Sequence, residues 1–155
     1  MFDPAVSLLS RFLEACVVEL QADPSSAAVW ARAREALENG GAARTSDPDL
    51  AAAVDAMDAK ALRAIVERWH AHERPLPPQD QEVLRRAMKA FEKTLRATQL
   101  DDESGIGGRG MSGGRPSGIV GIQPPSRFTR EVWNELVRQG RLRGGQQGIY
   151  ERGTG

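Results

Sequence analysis

Cysteine is all but missing from this chain: Cys16 is the only one in 155 residues. One thiol closes no intramolecular disulfide and builds no cysteine-based zinc cluster, so a disulfide scaffold and a zinc finger are both excluded. Cys16 falls on the apolar face of a predicted helix, where a thiol behaves as a small hydrophobe. Long apolar runs are missing too, with nothing near the ~20 residues that span a bilayer. The opening residues Met1-Phe2-Asp3-Pro4 lack the basic stretch of a secretory signal, and the helix after them is amphipathic. The expectation is a cytoplasmic protein without a membrane segment. Aromatics are sparse at 5%, so the core must be mostly Leu, Val and Ala. Such a core is packing material and carries no chemistry.

Acidic and basic residues balance at 21 each, but not locally. From Met1 to Ser104 there are 13 basic and 18 acidic residues, a net of −5. From Gly105 to Gly155 there are 8 and 3, a net of +5, and all eight are arginines. Arginine suits planar, bidentate contacts to phosphate or carboxylate. The tail therefore either answers the acidic part of its own chain or meets an anionic partner.

What is present reads mainly as helix. Three Asp-Pro pairs, Asp3-Pro4, Asp23-Pro24 and Asp47-Pro48, each precede an apolar-periodic segment. Asp accepts a bond from an otherwise unpaired helix N–H, and Pro at the first helical position gives up only an N–H that would be unpaired anyway. Helices are predicted from about Pro4 to Ala22, Pro24 to Glu38 with Gly40-Gly41 closing it, and after Asp47. Asp58 is expected to cap another, carrying Leu62, Ile65, Val66 and Trp69. The longest runs from about Pro78 to Thr98, with Val83, Leu84, Ala87, Met88, Phe91 and Leu95 as its apolar stripe. Asp101-Asp102-Glu103 lie at the wrong end of that helix for its dipole and are expected to help stop it. Eight glycines from Gly105 to Gly121 then read as a linker.

Chemical motifs do not hold up. Gly105-Ile106-Gly107-Gly108-Arg109-Gly110 matches the dinucleotide fingerprint in letters, but it follows a helix and an acidic cluster instead of a strand. His70 and His72 point to different sides of a helix and do not share a metal. An enzyme would need one of them to meet the Asp101 cluster in a polar pocket. No enzyme, cofactor or metal is expected. Arg85, Lys89, Lys93 and Arg96 line one side of the long helix, either as a solvated face or as a stripe that tracks phosphates.

The best-formed stretch is the tail. Gly118-Ile119-Val120-Gly121-Ile122 reads as a strand. Thr129 is placed to cap a helix from Arg130, and Phe128 with Trp133 matches a hydrophobic staple. Val132, Trp133, Leu136 and Val137 form its apolar face, leaving Arg127, Arg130, Asn134, Arg138 and Gln139 outward. Gly140 is placed to close the helix. Arg141-Leu142-Arg143 and Gly148-Ile149-Tyr150-Glu151 then read as two strands joined by a Gly-Gln turn. A helix followed by a glycine-turned hairpin with a basic rim resembles the second half of a winged-helix domain, over about Phe128 to Arg152. That resemblance implies contacts from the outward polar residues to phosphates or bases.

The expected architecture is mainly α. A bundle of four to five helices covers residues 1–100, a Gly-rich linker 101–116, a strand–helix–hairpin module 117–152 and a short tail 153–155. The expected function is a non-enzymatic interaction protein that meets a protein partner through the Arg-rich module. The alternative is nucleic-acid binding by the tail and the stripe. Candidate binding residues are Arg127, Arg130, Asn134, Arg138, Arg141 and Arg143 in the tail, with Arg85, Lys89, Lys93 and Arg96 on the long helix.

Overall fold

The computed structural model describes residues 2–39, 46–107 and 118–153. Over these residues the chain is mostly helical, with one small antiparallel sheet. The helices are α1 (Leu9–Ala22), α2 (Ala27–Asn39), α3 (Pro48–Asp55), α4 (Ala59–His70), α5 (Pro78–Gly107) and α6 (Arg130–Arg138). The strands are β1 (Gly121–Ile122), β2 (Leu142–Gly144) and β3 (Tyr150–Arg152), in the order β1-β3-β2. Gly40, Gly41 and the Gly-rich residues 108–117 lie outside the described residues.

Two compact units make up the chain, Met1–Val83 and Leu84–Gly155. They divide inside α5. An apolar stripe on a helix shows that it is buried without showing against what, so the sequence pattern could not place the division. Nor does α5 stop at Thr98: it continues through Asp101-Asp102-Glu103 to Gly107. Acids in a last turn cost only about 0.3–1 kcal/mol against the dipole, too little to end a helix alone.

In the first unit α1 packs on α2 and α4, and α3 packs on α2 and α4. The core is the set of stripes read from the sequence, with Leu9, Leu13, Trp30, Leu37, Leu50, Val54 and Leu62 almost wholly buried. Each indole also finds a partner. Trp30 Nε1 donates to the Pro24 carbonyl at 2.9 Å and Trp69 Nε1 to the Pro75 carbonyl at 3.1 Å.

The helix starts are a mixed outcome. Asp47 and Asp58 cap as expected, accepting from the Leu50 and Ala61 N–H groups. Asp47 also pairs with Arg74 from the Pro-rich turn, both side chains being mostly buried. Asp3 does not start α1. It accepts from the Ala5 N–H and holds a short turn ahead of the helix. Asp23 accepts from Ser25, and α2 starts later, with Ser26 at its head. The N-terminus of α1 is satisfied from far along the chain. The Leu9 N–H donates to Asp80 Oδ1 at 2.6 Å and the Ser10 N–H to Asp80 Oδ2 at 3.0 Å. Asp80 has no exposed surface.

Two helices of this unit end on a left-handed residue that is not glycine. Met57 has φ +51 and His72 φ +60. Around Met57 the Asp58 N–H donates to Ala53 O at 2.9 Å and the Met57 N–H to Val54 O at 3.1 Å. That pair of bonds is the Schellman closure, in which glycine avoids the Cβ clash. Met57 is 53% exposed, so its side chain gives little packing in return. Met57→Gly is expected to raise stability by about 0.5–1 kcal/mol. A lowered thermal midpoint would contradict this.

Candidate functional site

The second unit positions the sequence-predicted residues. Thr129 sits at the N-cap of α6 with φ −70 and ψ 158. Phe128 before it and Trp133 after it close the staple, their rings 5.6 Å apart and edge-on at 80°. The Thr129 hydroxyl, however, makes no cap bond: its Oγ1 is buried without a protein partner. Trp133 also meets Phe91 of α5 and Tyr150 of β3, each at 6.3 Å. Four aromatic rings thus converge beneath the sheet.

Past α6 the chain closes as read from its glycines. The Gly140 N–H donates to Val137 O at 3.0 Å and the Arg141 N–H to Leu136 O at 3.0 Å, with Gly140 at φ +77. In the hairpin Leu142 pairs with Arg152, Arg143 with Glu151 and Gly144 with Tyr150. The strands lie one or two residues later than expected. Gly148 is left-handed at φ +76, so Gly148 and Ile149 belong to the turn, where the Gly145 N–H donates to Ile149 O at 2.8 Å. Glycine is required at 145, because a Cβ there would stand 2.8 Å from the Tyr150 ring. The expected third strand is present as β1, paired antiparallel to β3, but only over Gly121–Ile122.

The candidate side chains do not all face outward in the same way. Arg127, Arg130 and Asn134 are exposed at the start and along one side of α6, with the Arg127 guanidinium 5.0 Å from the Phe128 ring centre. Arg138 is tied to its own helix. Its Nε donates to Glu135 Oε2 at 2.6 Å, a second guanidinium N–H reaches Oε1, and Gln139 Nε2 donates there at 3.2 Å. Glu135 is only 1% exposed and was missed in the sequence, although it adjoins Leu136 on the core face and has an arginine three residues on. Arg141 is half-buried. Arg143 is exposed and lies 3.3 Å from Glu151 across the hairpin. Arg85, Lys89, Lys93 and Arg96 are exposed on α5.

Groups that could do acid–base chemistry are placed otherwise. His70 Nε2 lies 2.7 Å from Glu14 Oε1, and Arg11 donates to Oε2 at 2.9 Å. Burial pushes the Glu14 carboxyl up, but the hydrogen bonds from Arg11 and His70 outweigh it and leave it below the ordinary glutamate value. His72 stands beyond the end of α4. Cys16 is buried, and burial pushes its thiol up against a weaker opposite pull from Arg32. Among the described residues no three His, Cys, Asp or Glu side chains are grouped to hold a metal ion. An open cleft of about 520 Å³ beside α1 and α4 is lined by Val17, Leu20, Pro24, Lys60 and Arg63, with no hydroxyl, thiol or carboxylate in its lining.

No family model, curated protein or solved structure matches this chain. Its own residues must carry the functional argument. Counted over the sequence, Met1–Val83 has 8 basic and 14 acidic residues, a net of −6, and Leu84–Gly155 has 13 and 7, a net of +6. The stripe on α5 and the arginines of the tail therefore belong to one compact unit. No helix among the described residues is long and apolar enough to cross a membrane.

Proposed function

We propose that this chain is a non-enzymatic interaction protein of the cytoplasm whose binding surface is the basic unit Leu84–Gly155. The observation that carries this is the two-sidedness of α6. One side is committed to the core through Val132, Trp133 and Leu136, the other presents Arg130 and Asn134 to solvent, and Arg127 is exposed just ahead of the helix. A staple at one end and a Schellman closure at the other hold the helix, so little ordering entropy remains to oppose binding. The partner is anionic, because the cations of this surface are mostly arginines with a planar donor fork. The module is winged-helix-like in having this helix lead straight into a hairpin. Against catalysis, the buried carboxylates Asp80 and Glu135 are engaged in holding a helix start and an arginine.

Binding to heparin and to poly-glutamate, titrated with salt, tests this reading. The full chain is expected to bind at low salt, and Arg127→Glu with Arg130→Glu to weaken binding at least tenfold, about 1.4 kcal/mol. Equal binding by the charge-reversed chain would remove α6 as the site.

A further inference from the structure

The long helix gives the same unit a second basic surface. Between Leu84 and Leu100 the sequence places Arg85, Arg86, Lys89, Lys93 and Arg96 against a single acid, Glu92. All six are exposed. At 3.6 residues per turn the five cations fall within an arc of about 100°, on the side away from Phe91 and Leu95. Glu92 stands at the edge of that arc, and Arg152 of β3 comes within 3.5 Å of its carboxylate. An exposed pair of this kind adds little stability. Its importance is positional: it answers Glu92 and brings a cation of the sheet alongside the stripe.

Two features select the partner. First, the stripe is linear and regular. It rises ~16 Å from Arg85 to Arg96, and a duplex presents a phosphate every ~1.7 Å of its axis with both strands counted, so phosphates fall within reach along the stripe. Second, no exposed apolar side chain interrupts the stripe between Arg85 and Arg96. The exposed large hydrophobic residues of this unit, among those described, are Leu100, Val120 and Ile149, and of these Leu100 shares the stripe's side of the helix, one turn beyond Arg96. Protein interfaces draw most of their energy from buried aromatic and apolar anchors with few charges at the centre. A surface made mainly of cations suits a phosphate backbone.

We propose that the α5 stripe, with Arg152 beside it, tracks the phosphate backbone of a nucleic-acid duplex and positions it without reading its sequence. This rests on Leu84–Gly155 being the binding unit and names its partner.

The test uses the full chain and a labelled duplex of about 20 base pairs, titrated with salt, with unlabelled duplex and poly-glutamate as competitors. Binding is expected to fall linearly in log–log form, with a slope of about −4 for four to five phosphates. Lys89→Ala with Lys93→Ala should reduce the slope by about 2, on any sequence. Lys89→Arg with Lys93→Arg should restore it. Far-UV circular dichroism checks that both variants stay folded. An unchanged slope in the alanine pair overturns the proposal, because the phosphates would then be met elsewhere. Equal competition by poly-glutamate at equal charge overturns it in favour of an acidic protein. Failure to bind duplex, with poly-glutamate binding that still depends on Arg127 and Arg130, overturns this inference and leaves the interaction reading standing. Failure to bind either polyanion removes both.

Discussion

Asp80→Ala is expected to destabilise the unit Met1–Val83 by about 2–4 kcal/mol, one to two buried donors' worth of lost hydrogen bonding. The argument starts from the head of α1. A helix leaves its first N–H groups without partners inside itself. Leu8, at the cap position, has no side-chain acceptor to offer. Asp80 takes the Leu9 and Ser10 N–H groups on separate oxygens, at zero exposure. Without it those donors stay buried and water cannot replace the carboxylate. Asp80→Asn should do nearly as much harm as alanine, because an amide has one oxygen where two are used and turns an N–H toward the second donor. For a domain of this size the midpoint should drop on the order of 10–20 °C. Urea denaturation followed through Trp30 and Trp69 reads this unit. An alanine variant within ~1 kcal/mol of the parent would show that the contact carries no net stability.

Trp133→Ala is expected to remove a further ~3–5 kcal/mol, this time from Leu84–Gly155. Trp133 is 4% exposed and touches Phe91, Phe128 and Tyr150, so its loss leaves a cavity bordered by three rings, from α5, from the residue before the α6 cap and from β3. Relaxation cannot fill it, because β3 is held by both neighbouring strands and α6 by its closures. Trp133→Phe keeps one ring and should recover about half of the loss. Amide exchange read at Tyr150–Arg152 is the suitable measurement, since Trp133 is the only tryptophan of this unit. Protection there should collapse in the alanine variant while the fluorescence transition of Trp30 and Trp69 stays in place. Undiminished protection at β3 would mean that the sheet does not depend on the aromatic cluster.

Local interactions were legible in the sequence and distant ones were not. Asp47, Asp58, the Phe128–Trp133 staple and the glycine at 140 act within a few residues, so their chemistry can be read from spacing alone. Asp3 and Asp23 carry the same signature as Asp47, yet each turns back on a residue two positions ahead instead of opening a helix. The pattern names a donor–acceptor habit and not the element that results. Asp80 is a partner of α1 that no local rule finds, because 70 and 71 residues separate it from the groups it binds. The stripe of α5 was legible as buried, but its sharing between two units was not, because Phe91 reveals its neighbour only once Trp133 is placed. At the candidate site the outward positions of Arg127, Arg130 and Asn134 followed from helical period. The tether of Arg138 did not, because an acid on the core side looks like a surface residue until its burial is known.

The Asp80 contact also has a meaning in time. A ribosome delivers α1 first and the residue that completes its head some seventy positions later. At roughly 5–20 residues per second that is a wait of several seconds. During it the nascent α1 has the apolar face of a finished helix and the frayed start of an unfinished one. The first unit therefore gains the stability of this contact only after the opening turn of α5 has left the ribosome, later than the end of α4.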